Sequence, residues 1–503
     1  MTIPMRTLQL WSRDSIVERP FHACLRLRGI GLESQWEQLS MFFEQFYLGC
    51  LAHASYMLAS EGEAVVVDPQ RDVDIYLKAA EEQQVKIRHI FETHLHADFV
   101  SGHKELAART GATIYMGARA GAAFPHIGVH DGFELKVGKA RISVLETPGH
   151  TPESVCLVIT DEEKSSNPWA VLTGDTLFLG DVGRPDLSKN HTPKQLAALL
   201  YDSLHDKLLK LSDDVLVYPA HGAGSLCGRN MRAERSSTIG TERLTNYALQ
   251  IQSKDEFVRQ LTENLPTRPE YFLQDAEINR AGAASLSALP ALTPVSATEL
   301  NTLLNDGVIA LDVRPGEQFA EAHVPGSINI ALSGQFASWA GTVLGLSACP
   351  VLIADSPEQL SEARLRLARV GIEDARGYLK DGIAGWKQAG LPLAETPQIS
   401  VQALQQRLQA DRSAVLDVRR ESEWQAGHIE EAAWWPLDNF KVAAPEIDRD
   451  APVAVHCKSG YRSMIACSLL QRAGFRNITN VVGGFDAWLL AGLPVEREKP
   501  VVA

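Results

Sequence analysis

The chain has 503 residues, of which 45% are hydrophobic and 22% charged, a composition typical of a globular protein with room for about three domains. The formal net charge of −14 argues against nucleic-acid binding, and no apolar run approaches the roughly 20 residues that span a bilayer. The seven cysteines are odd in number and follow no evident secretory signal, which predicts reduced thiols in a cytoplasmic protein.

Residues 1–40 show neither the alternation of a strand nor the apolar face of a helix. Met41 then opens an aromatic-rich segment, residues 42–47, that has the pattern of a domain start. We therefore expect residues 1–40 to be an N-terminal extension that is loose or not translated, with translation beginning at Met41.

Strands and helices alternate from Met41 to about residue 247, which predicts an α/β domain. Residues 63–68 fit a strand, and residues 73–83 and 102–110 fit helices. Residues 250–285 have a helical composition that completes a domain over 41–285, and residues 286–294 have the composition of a linker.

Four groups of polar residues in this domain each follow an apolar, strand-like run. The first group is His94-Leu95-His96-Ala97-Asp98. Residues two apart in an extended segment point the same way, so His94 and His96 can face one metal with Asp98 close behind. The later runs lead to His150, Asp175 and His221. Because strand ends commonly carry ligand loops on a rigid scaffold, this order predicts a metal site.

The C-terminal part of the chain contains an internal repeat. Residues 310–314, Ala-Leu-Asp-Val-Arg, reappear as Val-Leu-Asp-Val-Arg at 415–419, and residues 382–392 match residues 484–494. Both copies alternate strands with helices, which predicts two small parallel α/β domains, at residues 293–395 and 396–503.

The second copy carries a reactive loop. A predicted strand delivers Cys457 into a six-residue loop that ends at Arg462, and a helix at 464–473 follows. Backbone N–H groups and the helix N-terminus would hold an anion around the sulfur, which stabilises a thiolate or persulfide. The other residues of this loop are Lys458, Ser459, Gly460, Tyr461 and Ser463.

The first copy lacks this chemistry. Alignment of the strands places Asp355 where Cys457 lies in the second copy, and residues 355–359 contain no thiol, glycine or arginine. A carboxylate carries no sulfane sulfur and repels anions. We therefore predict that residues 293–395 form a catalytically inactive domain that serves for packing or docking.

The ordered polar groups at 94–98, 150, 175 and 221 resemble the metallo-β-lactamase superfamily, and the two repeats resemble rhodanese domains. The resemblance implies an α/β protein with an αββα sandwich followed by two rhodanese-like parallel α/β domains. Phosphatase and arsenate-reductase loops hold one more residue between cysteine and arginine, so four residues between Cys457 and Arg462 favour sulfur transfer. Hydrolases of the lactamase fold such as glyoxalase II place a histidine where Phe99 stands, which favours one metal here.

The whole combination resembles the persulfide dioxygenases, fused to rhodanese. This resemblance implies that His94, His150 and Asp175 hold one Fe(II) per chain, since two histidines and one carboxylate form the facial triad of non-haem iron oxygenases. It further implies that Arg184 binds the thiol and acts in catalysis. His96, Asp98 and His221 would orient water and substrate around the triad. Cys227 either touches the substrate sulfur or is an ordinary loop cysteine.

The implied function is sulfide detoxification, in which a low-molecular-weight persulfide and O₂ give sulfite and thiol. Cys457 and Arg462 would then carry sulfane sulfur to or from sulfite and thiosulfate. The alternatives are a dinuclear zinc thioester hydrolase with a sulfurtransferase tail and a non-catalytic sulfur-relay protein with a structural metal. We expect no nucleic-acid or membrane partner. The thiol carrier and the oligomeric state stay open, because Gly222-Ala223 follows His221 where glutathione-using members have Asp-Tyr.

Overall fold

The computed structural model describes residues 41–497 apart from 264, 266, 411–413 and 442–444. The prediction for residues 1–40 lies outside the described residues. The expected helices are present, with small shifts at their ends: α1 spans Asp74–Glu82 and α2 spans His103–Thr110.

Two six-stranded sheets form the first part of the described chain. The first sheet has the order β1-β2-β3-β4-β5-β6 and the second the order β12-β11-β10-β9-β8-β7. The strands are β1 (Phe42–Leu48), β2 (His53–Ser60), β3 (Glu63–Val67), β4 (Lys86–Glu92), β5 (Thr113–Gly117), β6 (Ile127–Val129), β7 (Glu134–Val137), β8 (Ala140–Glu146), β9 (Val155–Asp161), β10 (Ala170–Gly174), β11 (Leu216–Pro219) and β12 (Ser237–Thr238). The helices that follow are α3 (Pro193–Asp202), α4 (Ile239–Thr245), α5 (Lys254–Thr262) and α6 (Tyr271–Ala281).

Alternation along the central strands places the sheets face to face. Met57 and Ala59 of β2 pack in a core with α1 and α2, whereas Tyr56 and Leu58 pack in a core with strands of the second sheet. Successive side chains of a strand point to opposite faces, so both faces of β2 are buried. Helices α3 and α5 cover the outer face of the second sheet. This confirms the predicted αββα sandwich.

The repeat folds twice in the same way. The two five-stranded sheets have the orders β13-β17-β16-β14-β15 and β18-β22-β21-β19-β20, with parallel pairing throughout. The strands are β13 (Pro294–Val295), β14 (Ala310–Asp312), β15 (Ile328–Asn329), β16 (Val351–Ile353), β17 (Gly377–Leu379), β18 (Gln398–Ile399), β19 (Ala414–Asp417), β20 (Ala432–Trp434), β21 (Val453–His456) and β22 (Ile478–Val481). The helices are α7 (Ala297–Asn305), α8 (Gly316–Glu321), α9 (Phe336–Leu344), α10 (Pro357–Ala368), α11 (Gly382–Gln388), α12 (Val401–Gln409), α13 (Glu421–Ala426), α14 (Tyr461–Arg472) and α15 (Gly484–Leu490).

The sandwich and the two repeats share one apolar cluster. It contains Phe99 and Tyr271 from the sandwich, Trp339 from the first repeat and Met464 from the second. The predicted linker is also held in place, because the backbone N–H of Leu286 donates to a Glu105 carboxylate oxygen at 2.7 Å. The segment 286–294 is therefore bonded to the sandwich at its first residue.

Two general predictions concern the whole chain. None of the helices in the described ranges combines the length and the apolar character needed to cross a bilayer. The described cysteines are free thiols, as the reduced-thiol prediction requires: Cys50, Cys156, Cys227, Cys349, Cys457 and Cys467.

Candidate metal centre and cysteine loop

Three strand ends bring His94, His150 and Asp175 together. The three residues follow β4, β8 and β10, and one ligand atom from each lies within 4.8 Å of the others. His94 Nε2, His150 Nε2 and Asp175 Oδ2 are buried and have no hydrogen-bond partner among the described residues. Buried polar atoms are rarely left unpaired, so three that converge on one point fit a bound metal ion. The structure thus assembles the predicted ligand set, whose identity as ligands stays a prediction.

The opposite side of each imidazole is anchored. His150 Nδ1 lies 2.9 Å from the Arg184 carbonyl oxygen, and His94 Nδ1 lies 3.0 Å from the Thr93 hydroxyl. A proton held on Nδ1 by such a partner leaves Nε2 as the free electron-pair donor. Burial lowers the pKa of both histidines, His94 more strongly, so the neutral form that binds metals is favoured.

Asp175 also contacts a second group of polar residues. Its Oδ1 lies 2.7 Å from His221 Nδ1, and His221 Nε2 lies 2.9 Å from Asp98 Oδ2. Burial acts to raise the pKa of Asp175, but His221 and the triad histidines hold it well below its usual value. Asp98, His221 and Cys227 again place one donor atom each within 4.8 Å of the others. The predicted outer groups Asp98, His221 and Cys227 are therefore beside the triad.

His96 faces elsewhere. Its ring packs on His94 at 4.1 Å between centroids, but its Nε2 lies 3.1 Å from Asp68 and 3.4 Å from Glu92. The alternation of residues 94 and 96 was expected to aim both at one metal. The backbone turns after β4, which ends at Glu92, so the two-residue period does not hold there. His96 instead forms a buried acidic cluster, in which it fixes the metal loop to β3.

Arg184 is buried beside the triad, and its guanidinium binds both oxygens of Asp186, at 2.7 and 2.9 Å. Its carbonyl contacts His150. The neighbouring Gly183 is packed so closely that a Cβ would lie 2.0 Å from the Asp175 carbonyl and 2.8 Å from His150 Nδ1. The loop therefore positions two triad residues through its backbone, and the thiol-binding role of the Arg184 side chain stays a prediction.

The sequence motifs did not predict every residue around the metal ligands. His53 is fully buried, and its ring lies 4.1 Å from Phe99 and 5.3 Å from His221. Asn279 of α6 donates to the carbonyls of His96 and Phe99 at 2.8 and 2.7 Å, which holds the metal loop from outside. A single histidine at the start of β2 and a single asparagine in α6 carry no spacing signal, because both reach the site only through tertiary packing.

The second catalytic candidate lies in the second repeat. Cys457 is buried directly after β21, and the backbone N–H of Gly460 donates to its Sγ at 3.1 Å. Gly484 packs against the same loop, where a Cβ would lie 2.4 Å from the Cys457 carbonyl. The loop thus offers the predicted N–H donor to sulfur.

The helix after this loop begins earlier than predicted, at Tyr461 rather than 464, because Gly460 has a φ of +113° that turns the chain into α14. Arg462 lies in the first turn and binds Glu423 through two bonds of 2.6 and 2.7 Å. Ser463 donates to the Asn480 side chain at 2.7 Å, whereas Lys458 and Ser459 are exposed.

The corresponding loop of the first repeat is closed by its own side chains. The Asp355 N–H donates to the Gln359 side chain at 2.8 Å, and Ser356 accepts from the Gln359 N–H at 3.3 Å. The loop borders a cavity of about 890 Å³ that Leu289 of the linker and Arg364 also line. Two N–H groups of this loop, those of Asp355 and Gln359, therefore already have side-chain partners.

Comparison with known proteins identifies both regions. Residues 48–221 match the metallo-β-lactamase superfamily, and residues 296–389 and 400–491 each match the rhodanese-like domain. A solved metallo-β-lactamase from Staphylococcus aureus subsp. aureus COL is 32% identical, with a TM-score of 0.61 over 67% of this chain and 98% of that chain.

Two groups of relatives match the sandwich. The mitochondrial persulfide dioxygenase ETHE1 of Bos taurus is 30% identical over 210 residues, which are 41% of this chain and 73% of that protein. The hydroxyacylglutathione hydrolase of Francisella tularensis subsp. novicida is 32% identical over 177 residues, which are 35% of this chain and 65% of that protein.

Proposed function

Because the chain belongs to the metallo-β-lactamase superfamily and continues into two rhodanese-like domains, we propose that it oxidises a low-molecular-weight thiol persulfide with O₂ and transfers sulfane sulfur through Cys457. The observation that carries this proposal is the set of three unpaired donor atoms on His94, His150 and Asp175. A set of two histidines and one carboxylate suits non-haem Fe(II), and a persulfide dioxygenase is among the relatives.

Fe(II) would be held by His94, His150 and Asp175, and when bound it would supply the redox chemistry that a reaction with O₂ requires. Phe99 favours a site with one metal ion over a site with two. Its ring lies among His53, His96 and His221, at centroid distances of 4.1, 4.5 and 6.4 Å, and it occupies the space beside Asp98 with an apolar group. An aromatic ring supplies no ligand atom. The position where glyoxalase II-type hydrolases have a histidine therefore contributes nothing to a second metal ion.

His221 and Asp98 would act beside the metal ligands. His221 lies between Asp175 and Asp98, which together raise its pKa well above the usual value although burial acts to lower it. Both N–H groups of a charged imidazolium there would donate to Asp175 and Asp98, so His221 would hold the two carboxylates in place and Asp98 would orient the water that releases the product. Sulfite and free thiol would be the products, in a pathway of sulfide detoxification in the cytoplasm.

Cys457 would act next. Its sulfur accepts the Gly460 N–H, so the loop supplies one hydrogen-bond donor to a sulfur anion at this position. The thiolate would take the outer sulfur from a persulfide and pass it to sulfite, giving thiosulfate, or run in the reverse direction. Arg462 would contribute positive charge near the sulfur while Glu423 fixes its position.

A second candidate function is a dinuclear zinc thioester hydrolase with a sulfurtransferase domain. It is favoured by the hydroxyacylglutathione hydrolase relatives and by the second donor group of Asp98, His221 and Cys227. A hydrolase would need no O₂. Phe99→His would restore a nitrogen donor beside Asp98, and we expect that variant to take up a second metal after zinc loading, whereas the parent chain takes up one.

The experiment that tests the proposal combines metal analysis with O₂ uptake. We expect one iron per chain and O₂ consumption with a small persulfide, both lost in Asp175→Ala, because no other carboxylate completes the triad. Asp98→Ala is the matched control and should keep iron. Two zinc ions per chain with thioester cleavage would replace this proposal by the hydrolase, and loss of iron from Asp98→Ala alone would reassign the ligands.

A further inference from the structure

The first repeat has a cavity at the place where the second repeat has its reactive loop. This cavity has a volume of about 890 Å³ and is lined by the loop after β16, by α10 and by the start of α11. The loop after β16 is the counterpart of the Cys457 loop, and the start of α11 is the counterpart of the turn at Gly483 and Gly484. A volume of this size suits a small organic ligand, for which pockets of roughly 300–1,000 Å³ are usual.

The linker gives this cavity an apolar wall. Leu286, Leu289 and Leu292 of the linker line the cavity together with Leu360 of α10, and all four side chains are only half-buried. The wall is bonded to the sandwich, because the Leu286 N–H donates to Glu105. A hydrocarbon group that covered these leucines would remove apolar surface from water, which favours binding.

Two carboxylates lie on the loop side of the cavity. Asp355 follows Ala354 and Asp381 precedes Gly382, and a Cβ built on Gly382 would lie 3.1 Å from the Ala354 carbonyl oxygen. Both aspartates line the cavity. Within the ranges that the structure describes, neither carboxylate forms an ion pair with a lysine or an arginine. The two negative charges are therefore available to a cationic group of a ligand.

The other polar groups of the lining leave the loop side to a cation. Arg364 carries a positive charge, but its guanidinium is at the linker, where it donates to the Leu289 carbonyl at 2.6 Å. Tyr378 adds an aromatic ring, whose face attracts an ammonium group. At the positions of the two aspartates the second repeat has Cys457 and Gly483. The same place in the fold therefore carries a thiol in one repeat and two carboxylates in the other.

We propose that this cavity binds a small organic amine, with the ammonium group at Asp355 and Asp381 and the apolar body along the linker leucines. The binding is non-covalent and takes place away from the metal ligands and from Cys457. The inference goes beyond the proposed function and does not depend on it. The first repeat is then a ligand-binding domain as well as a packing domain.

The test uses three probes that share one hydrocarbon chain and differ in the head group: octylamine, octanol and octanoate. Binding of each probe to the full-length, metal-loaded chain is measured by isothermal titration calorimetry at neutral pH, where octylamine is cationic and octanoate is anionic. We expect octylamine to bind about five-fold more tightly than octanol, the order of magnitude of a solvent-exposed ion pair. Octanoate should bind most weakly, because the two carboxylates repel it.

A charge variant tests the two aspartates. In the double variant Asp355→Asn with Asp381→Asn, octylamine should bind no more tightly than octanol, whereas octanol should bind as it does to the parent chain. Asparagine keeps the shape of both side chains and tolerates the φ of +58° at position 381. Asp374→Asn is the matched control and should keep the preference for the amine, because Asp374 is an exposed aspartate of the same repeat that does not line the cavity.

A second kind of variant tests the place of binding. Ser361 of α10 is exposed and lines the cavity, so Ser361→Trp should fill it and abolish the binding of all three probes. If Ser361→Trp fails to fold, Ala384→Trp repeats the test from α11, where Ala384 is likewise exposed and lines the cavity. Unchanged binding of octylamine to such a filled variant would place the amine elsewhere and refute the proposal.

The remaining outcomes also decide. Equal binding of the three probes would show an apolar groove that does not select amines, and tighter binding of octanoate would assign the selectivity to Arg364 instead of the aspartates. The absence of octylamine binding would show that the cavity is no amine site. Each of these results refutes the proposal. A preference for octylamine that survives in the double aspartate variant would refute the role of Asp355 and Asp381. None of these measurements uses O₂ or a persulfide, so the proposed function stands or falls separately.

Discussion

The two repeats build the same sheet in the same strand order, yet they present different loops at the same point. After β21 the second repeat offers Cys457 to the Gly460 N–H. After β16 the first repeat offers Asp355, whose own N–H is bound by Gln359. Even the backbone turn that precedes α11 and α15 is kept, with a positive φ at Asp381 of +58° where Gly483 has +74°. The scaffold is thus independent of the residues that carry the chemistry.

The first repeat instead contacts both of its neighbours, the sandwich and the second repeat. Arg369 binds Asp72 of the sandwich at 2.9 Å, and its carbonyl accepts the Val100 N–H of the metal loop at 2.7 Å. On its other side it receives the Tyr461 hydroxyl from the second repeat. From this comparison we infer a division in which one copy performs chemistry while the other contacts both the metal loop and the Cys457 loop. The predictions below test this division.

The largest effect is expected for Cys457→Ser. A hydroxyl has a far higher pKa than a thiol and forms no persulfide, so thiosulfate formation and thiosulfate-dependent sulfur transfer should fall to the uncatalysed rate. The fold should survive this small change. O₂ uptake with a freely diffusing persulfide should continue, with sulfite as the main product. The check is to measure O₂, sulfite and thiosulfate in the same reaction, and loss of O₂ uptake would mean that Cys457 delivers substrate to the metal.

The next effect is expected for Arg369→Ala, which removes one of the ionic contacts between the first repeat and the sandwich, the other being that of Arg71 with Glu373. Asp72 would lose a charged partner with two donor atoms, a change on the order of 1–3 kcal/mol when partly buried. The melting temperature should fall in thermal denaturation. Arg407→Ala is the control, because Arg407 lies in α12 away from this interface. An equal fall in both variants would show that the contact adds nothing specific.

A third variant asks whether the thiol alone restores chemistry to the first repeat. We expect Asp355→Cys, made in the Cys457→Ser background, to stay inactive in thiosulfate-dependent sulfur transfer. The N–H at position 355 is already bound by Gln359, and no glycine follows to turn further donors toward the sulfur. Recovery of transfer in this double variant would show that the closed loop opens to accept sulfur.

The sequence predicted the fold class and the repeat well because both rest on local patterns. Alternating strands, the order of the polar groups after them, and the paired motifs at 310–314 and 415–419 are all visible without contacts. The position of His96 was harder to predict, since it depends on how the chain turns after Glu92 toward Asp68. Tyr271 carries no motif, and only the packing of distant elements places it in the apolar cluster with Phe99 and Cys227.

The smallest effect is expected for Asp355→Ala. The Asp355 side chain is exposed, and the contact that closes the loop is made by its backbone N–H, which alanine keeps. Stability should therefore change by no more than about 0.5 kcal/mol, as for an ordinary surface substitution. O₂ uptake and thiosulfate formation should both match the parent chain when measured side by side. A loss of either activity would contradict the division argued from the two repeats, because it would give the first repeat a chemical part at the position where its partner carries Cys457.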